Sequence, residues 1–299
     1  MYLIVGAGGF LGGYLVKNIL QLTDDKVIAT YHSSKGLEGS KRVRWVHLDV
    51  TDSLSVESLS KIIKDCKERG DKIKCIYTAG YIKPDDCLKN PEVAVKNNIL
   101  ALVNFLMKFG SLFDSFVFTS TDFVFDESDD KLPYKEEDME CPINFYGTIK
   151  LTCERIVRSH GFVVVRLPFM FGRSLNPNKS HFIEHVERTI HEKETFEILS
   201  DNYENSLDYG SVAQILISLV EKFNGDIPEP IVHICGDKPV TKYEIALAFA
   251  REHNLDERYL KPIKLSENTF FLAKRGTIKL DNSLVKKLLN LDKIEFKVG

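Results

Sequence analysis

A glycine-rich turn near the N-terminus restricts the fold of this chain more than any other feature. An apolar strand, Tyr2-Leu-Ile-Val5, runs into Gly6-Ala-Gly8-Gly9-Phe10-Leu11-Gly12, which opens a segment with apolar residues at helical spacing. Glycines at positions 6, 9 and 12 permit a tight strand-to-helix turn and let a pyrophosphate approach the N–H groups at the start of the helix. The pattern therefore predicts a dinucleotide-binding turn formed by Gly6, Gly9, Phe10, Leu11 and Gly12.

Apolar strands and amphipathic helices alternate through the first half of the chain. The periodicity predicts strands over 2–5, 26–31, 43–48, 72–78, 116–119 and 162–166, and helices over 10–22, 54–68, 91–109 and 143–160. Strands without polar alternation, separated by helices, are typical of a parallel sheet covered on both faces. We predict an α/β fold, a doubly wound (Rossmann-like) sheet.

The regular alternation ends after Arg166. Helices are predicted over about 181–192, 210–223, 240–253 and 281–290, with short strands near 195–199 and 231–234. This segment is too short and irregular for a second doubly wound domain. We expect a dinucleotide-binding domain over 1–166 plus about 205–234. The remainder, about 167–204 and 235–299, is expected to form a smaller, partly interleaved α+β lobe that binds substrate.

Composition excludes several classes of protein. The 299 residues are 43% hydrophobic and 28% charged, as in soluble globular proteins, and the net charge of −3 lacks the cationic surface of a dedicated nucleic-acid binder. The six cysteines form no C-x-x-C pair, so we predict reduced thiols, a cytoplasmic location and no metal site. No apolar run reaches the ~20 residues that span a bilayer, so no membrane partner is expected.

The residues after the second strand bear on the choice of dinucleotide. They read Thr30-Tyr31-His32-Ser33-Ser34-Lys35, with no acid before Glu38. A carboxylate here would accept a hydrogen bond from the ribose 2′-OH of NAD, whereas hydroxyl groups and a lysine suit a 2′-phosphate. NADP(H) is therefore favoured over NAD(H); the alternative is a surface turn that barely discriminates. Asp49, followed by Val50, either accepts from the adenine amine or belongs to the next turn.

Tyr146 and Lys150 are the candidate catalytic pair, since residues four apart on a helix share a face. Tyr31 and Lys35 have the same spacing but lie in a turn. A lysine ammonium near a tyrosine stabilises the phenolate by up to ~4 kcal/mol at an effective permittivity of ~20, which would bring the phenol pKa of about 10 closer to neutrality. Such a phenol can protonate a carbonyl oxygen during hydride transfer. Thr121, or Ser120 in second place, would hold that oxygen.

Four motifs in order resemble the extended short-chain dehydrogenase/reductases. They are the glycines at 6, 9 and 12, Thr78-Ala79-Gly80, Ser120-Thr-Asp-Phe-Val-Phe-Asp126 and Tyr146-Gly-Thr-Ile-Lys150. The last two are most similar to the dTDP-4-dehydrorhamnose reductase family, and the resemblance covers residues 1–172 best.

The resemblance implies roles for individual residues. Thr121, Tyr146 and Lys150 would be catalytic, with Lys150 also holding the nicotinamide ribose. The cofactor would be lined by further residues, namely Thr78, Ala79, Gly80, Asn98 and Pro168. The substrate would meet Ser120, Asp122, Phe169 and Arg173. Asn98 is alternatively a polar helix position, and Arg173 an exposed surface arginine.

The function expected from this resemblance is NADP(H)-dependent reduction of a 4-keto group on a nucleotide-activated deoxysugar, a small-molecule substrate. Lys274-Arg275-Gly-Thr-Ile278 and Leu167-Pro-Phe-Met170 depart from the family pattern, so the sugar stays unassigned. One alternative is an epimerase or 4,6-dehydratase that retains its cofactor, although Phe123 stands where dehydratases carry glutamate. The other is a non-catalytic subunit like the regulatory subunit of methionine adenosyltransferase. A homodimer is left open.

Overall fold

The central element of the protein is a seven-stranded parallel sheet. The computed structural model describes residues 1–36, 39–127, 133–269, 271–273 and 276–298. The strands within these ranges, in chain order, are β1 Tyr2–Val5, β2 Val27–Tyr31, β3 Val43–His47, β4 Lys74–Tyr77, β5 Ser115–Thr121, β6 Val163–Leu167, β7 Met170–Phe171, β8 Phe196–Leu199, β9 Leu207–Asp208, β10 Ile231–His233 and β11 Leu260–Ile263. The order in the sheet is β3-β2-β1-β4-β5-β6-β10, so the predicted doubly wound α/β fold is confirmed.

Ten α-helices surround the strands in the described ranges. They are α1 Phe10–Leu22, α2 Ser53–Glu68, α3 Pro84–Lys89, α4 Pro91–Val95, α5 Ala101–Phe109, α6 Phe145–Ser159, α7 Phe182–His191, α8 Tyr209–Lys222, α9 Lys242–Glu252 and α10 Ser283–Leu289. One helix was predicted over 91–109, but a π-helical turn at Lys96–Leu100 separates α4 from α5. Within these ranges no helix is long and apolar enough to cross a membrane.

The two faces of the sheet have separate apolar cores. Leu15 and Ile19 of α1 pack with Leu216 of α8 on one face. Residues of α2, α5 and α6 fill the other face. Because all the strands of the sheet are parallel, the carboxyl ends of β1, β4, β5 and β6 lie at the same edge of the sheet. Ligands of doubly wound folds bind at this edge.

A smaller core lies beside that edge. Val186 of α7, Ile198 of β8 and Phe249 of α9 are fully or almost fully buried together. Strand β8 pairs with β11, and the two-residue strand β7 pairs with β9. Strands β7, β9 and β11 and helix α3 were not predicted, because elements of two to six residues carry too little periodicity to identify.

Candidate active site

The glycine turn has the geometry that the sequence predicted. Gly6 has a φ of +93°, in the region that favours glycine. A Cβ atom on Gly12 would lie 2.2 Å from the Gly6 carbonyl oxygen. Gly9 is the N-cap of α1, and no side chain caps this helix and no acid lies in its first turn. The N–H groups of Phe10, Leu11 and Gly12 therefore offer an anion site without a competing carboxylate.

A cavity of about 380 Å³ adjoins this turn at the carboxyl ends of β1, β2, β3 and β4. Its walls include several predicted cofactor residues, namely Gly6, His32, Asp49, Val50, Ala79 and Gly80. Tyr31, Tyr81 and Asn97 line it as well and were missed by the sequence analysis. The sequence could have identified these three residues, because each lies next to a predicted cofactor motif, at 32–35, 78–80 or 98. The free helix terminus and the adjoining cavity fit a dinucleotide.

Some side chains of the segment after β2 already make contacts within the protein. Ser34 Oγ accepts a hydrogen bond from Asn176 Nδ2 at 2.8 Å. Lys35 Nζ lies 5.8 Å from the centroid of the Tyr31 ring, and Ser33 is exposed. Glu38 lies outside the described residues.

Asp49 serves the turn that follows β3. Its Oδ1 accepts from the Thr51 N–H and the Thr51 hydroxyl, both at 2.8 Å. The backbone hydrogen bond is the main reason why the pKa of Asp49 is lowered. Asp49 Oδ2 lies 3.7 Å from His32 Nε2. One carboxylate oxygen thus stabilises the turn, while the residue also lines the cavity.

Two residues predicted to line the cofactor support the cavity wall from behind. Asn98 accepts from the Tyr81 N–H at 3.0 Å and donates to the Tyr81 and Ala94 carbonyl oxygens at 3.1 and 2.9 Å. The Thr78 hydroxyl donates to the Val5 carbonyl oxygen at 2.9 Å. Both side chains therefore hold the backbone that forms the wall.

Tyr146 and Thr121 meet at the carboxyl end of β5. Tyr146 lies in the first turn of α6, which Asn144 begins by accepting from the Gly147 N–H at 2.8 Å. Burial raises the pKa of Tyr146 well above its usual value, and a hydrogen bond with Thr121 acts in the opposite direction. Two hydroxyl groups thus lie together at the sheet edge where a carbonyl substrate is expected.

The expectation that Lys150 electrostatically primes Tyr146 stays a prediction, and in this structure the Lys150 ammonium has other partners. Lys150 Nζ donates to the Thr119 carbonyl oxygen at 2.7 Å and lies 4.0 Å from the centroid of the Phe118 ring. No hydrogen bond joins Lys150 to Tyr146 in the described structure. Burial lowers the pKa of Lys150 to about 8. The shared helix face was predicted correctly, but the long lysine side chain reaches the buried sheet carbonyl instead of the phenol.

The predicted substrate residues have different surroundings. Asp122 is buried, accepts from the Thr121 hydroxyl at 3.0 Å, and has its pKa raised to about 8 by burial and by Glu204. Ser120 Oγ is buried without a hydrogen-bond partner in the described chain. Pro168 is buried where β6 ends, and Phe169 follows it half-buried.

Arg173, one of the residues expected to meet the substrate, is paired with a carboxylate of the protein itself. Its Nη1 and Nη2 donate to the two carboxylate oxygens of Glu187 at 2.8 and 2.9 Å. A bidentate pair of this kind satisfies the guanidinium and neutralises its charge. The alternative interpretation, a surface arginine, describes it better, since its side chain is 40% exposed.

Three further residues near this edge carried no sequence signal. His181 Nδ1 lies 3.1 Å from the Tyr209 hydroxyl, and its ring centroid is 4.9 Å from that of Phe10. Burial lowers the pKa of His181 to about 4, so the imidazole is neutral. Glu204 and Lys242 come from separate segments, and Lys242 Nζ lies 4.5 Å from the centroid of the Phe169 ring. No motif connects these positions along the chain.

The doubly wound sheet, the glycine turn and the Thr–Tyr–Lys arrangement together define an extended short-chain dehydrogenase/reductase. Residues 1–298 match the family model described as the RmlD substrate binding domain, and the chain belongs to this family. The family resemblance drawn from the motifs is thereby confirmed.

The known proteins that are similar to this chain carry names that describe different functions. This chain is 28% identical over 305 residues to methionine adenosyltransferase 2 subunit beta of Xenopus laevis, and the match covers 99% of this chain and 85% of that one. It is 30% identical over 221 residues to a probable low-salt glycan biosynthesis reductase of Haloferax volcanii, covering 73% and 70%. A solved structure of a hypothetical dTDP-4-dehydrorhamnose reductase from Sulfolobus tokodaii is 27% identical with a TM-score of 0.77, covering 99% and 97%.

Proposed function

We propose that this protein is an NADP(H)-dependent reductase of a 4-keto group on a nucleotide-activated deoxysugar. The observation that carries the proposal is the meeting of the Tyr146 phenol and the Thr121 hydroxyl at the edge that also holds the uncapped start of α1. A dinucleotide diphosphate fits the N–H groups of Phe10, Leu11 and Gly12. Hydroxyl groups and Lys35 after β2, where no acid precedes Glu38, support NADP(H) over NAD(H).

The protonated state of the Tyr146 phenol suits the reductive direction. When bound, NADPH would supply a hydride to the carbonyl carbon, and the carbonyl oxygen would then need a proton. A phenol whose pKa lies above its usual value carries its proton at neutral pH. Tyr146 donates that proton, and the Thr121 hydroxyl holds the oxygen. Lys150, whose pKa burial lowers to about 8, would hold the cofactor ribose.

The experiment is the loss of NADPH absorbance on adding a panel of 4-keto nucleotide sugars to the purified protein. Stoichiometric oxidation of NADPH is expected. Product formation without net NADPH oxidation would instead indicate an epimerase or dehydratase. We do not favour that class, because position 123 carries a phenylalanine, whose ring centroid lies 6.1 Å from that of Tyr146, instead of a carboxylate.

Tyr146→Phe provides the residue-level test. It should lower turnover by roughly 10²–10⁴-fold, the usual contribution of a positioned acid, and leave the Kd for NADPH nearly unchanged. Tyr77→Phe is the matched control, because the Tyr77 hydroxyl is buried without a hydrogen-bond partner in the described structure. Near wild-type turnover by Tyr146→Phe would show that Tyr146 is not the proton donor.

A non-catalytic subunit is the second candidate, supported by the similarity to methionine adenosyltransferase 2 subunit beta and by the hydrogen bond that Lys150 donates to the Thr119 carbonyl oxygen. This candidate predicts tight NADPH binding, no oxidation with any keto sugar, and a stable complex with a methionine adenosyltransferase in size-exclusion chromatography. The reductase predicts turnover without that complex.

A further inference from the structure

Three ionisable side chains from distant segments lie in the same buried region beside Thr121. Asp122 follows β5 and is 3% exposed, and Glu204 precedes β9 and is 7% exposed. Lys242 is the first residue of α9, and its side chain is 15% exposed. Charged groups are rarely buried to this degree without partners or function.

The contacts of Lys242 connect this cluster to the substrate side of the sheet edge. Its Nζ lies 3.7 Å from Glu204 Oε1 and 4.5 Å from the centroid of the Phe169 ring, which follows β6. The backbone fixes this arrangement, because Glu204 and Val240 exchange N–H···O hydrogen bonds of 3.1 and 2.8 Å two residues before Lys242. Asp122 in turn accepts from the Thr121 hydroxyl.

The charges of the cluster determine which side chain keeps a proton. Two carboxyl groups share one ammonium, and a buried site favours a net charge near zero. Burial and the Glu204 carboxylate raise the pKa of Asp122, while Lys242 lowers it. Tyr146 of α6 and the Cys235 thiol after β10 also interact with Asp122. Burial raises the pKa of both groups, Asp122 adds to the increase, and both are neutral near pH 7. Asp122 is therefore the carboxyl group that carries the proton.

We propose that Glu204 and Lys242 are specificity-determining residues which, with Asp122, bind the hydroxyl groups of an uncharged sugar ring. This inference rests on the proposed reductase function. A protonated Asp122 and Lys242 donate hydrogen bonds and Glu204 accepts them, which suits hydroxyl groups because they do both. A set with no net charge gives no attraction for a phosphate or a sugar carboxylate, so the diphosphate of the substrate binds elsewhere.

The kinetic test compares Glu204→Gln and Lys242→Met with the wild type on the 4-keto nucleotide sugar that supports NADPH oxidation. Each variant should raise KM about tenfold through loss of a charged hydrogen-bonding group, with a smaller change in kcat. Glu197→Gln and Lys261→Met are matched controls, since these residues form an exposed ion pair of 2.7 Å in the same lobe. Both controls should keep the wild-type KM.

The pH profile of kcat/KM separates this role from a merely structural one. Loss of the Glu204 carboxylate should move the ionisation of Asp122 about one unit towards lower pH, and loss of the Lys242 ammonium should move it about one unit towards higher pH. Lys242→Arg keeps the charge and should retain the wild-type profile. If a variant fails to fold, as judged by circular dichroism, Glu204→Asp and Lys242→Arg replace it, and only a changed KM in at least one of them supports the inference.

The outcomes distinguish this inference from the proposed function. If none of the keto sugars supports NADPH oxidation by the wild type, the reductase function is refuted, and this inference with it. Turnover by the wild type, with unchanged KM in both variants or with pH shifts of the same sign, overturns the inference alone. An increased KM in both variants and shifts of opposite sign support it.

Discussion

Arg166 on β6 offers a quantitative test of how helix α6 is attached to the sheet. Its side chain is fully buried, and its Nε and Nη2 donate to the Glu154 carboxylate of α6 at 2.8 to 3.2 Å. Glu154 is also fully buried and follows Lys150 by one helical turn. Nη2 donates further to Glu140 at 2.7 Å, and the guanidinium lies 4.9 Å from the Phe125 ring centroid.

Arg166→Met removes one partner of this pair and leaves the buried Glu154 carboxylate without its ion-pair partner. Breaking a buried ion pair from one side costs about 3–5 kcal/mol, because the remaining charge is desolvated and unpaired. We therefore expect the free energy of unfolding to fall by this amount. Glu140 contributes less to the loss, since its side chain is 19% exposed and can be hydrated.

The double variant Arg166→Met/Glu154→Leu removes both charges and should recover more than half of the loss, because an apolar pair of similar volume needs no desolvation. The measurement is urea denaturation followed by circular dichroism, arranged as a double-mutant cycle. Arg258→Met is the control, since the Arg258–Asp256 pair is exposed and should leave stability unchanged. A loss below about 1 kcal/mol for Arg166→Met, or additive losses in the double variant, would refute this reasoning.

Two further results are expected. Gly12→Ala should weaken NADPH binding at least tenfold, since its Cβ would lie 2.2 Å from the Gly6 carbonyl oxygen. Gly13→Ala is the control and should bind NADPH normally, because its Cβ would make ordinary contacts with Leu175. Fluorescence titration measures both affinities, and equal affinities would contradict the proposed contact. Asp122, whose pKa is raised from 3.8 to about 8, binds a proton more tightly when folded, so its contribution to stability is complete below pH 4 and is lost as the pH rises through about 8. Asp122→Asn should remove this loss, which amounts to about 1 kcal/mol per pH unit in urea denaturation between pH 5 and 8; parallel pH profiles for the two proteins would refute it.

The sequence by itself determined the fold class and the location of the glycine turn. The strand periodicity and the glycines at 6, 9 and 12 are local features: they depend on backbone conformation and on which residues are apolar, and both can be read over ten to twenty residues. The helical spacing of Tyr146 and Lys150 is local as well, and it correctly placed both on one face of α6.

The tertiary structure decided which groups those side chains contact. Lys150 reaches a carbonyl oxygen 31 residues away, at Thr119, instead of the phenol one helical turn before it. Arg173 is neutralised by Glu187, and Asp122 is brought together with Glu204 and Lys242 from other segments. These outcomes depend on burial and on electrostatic interactions between atoms that only the folded chain brings close, and such interactions leave no periodic pattern in a sequence.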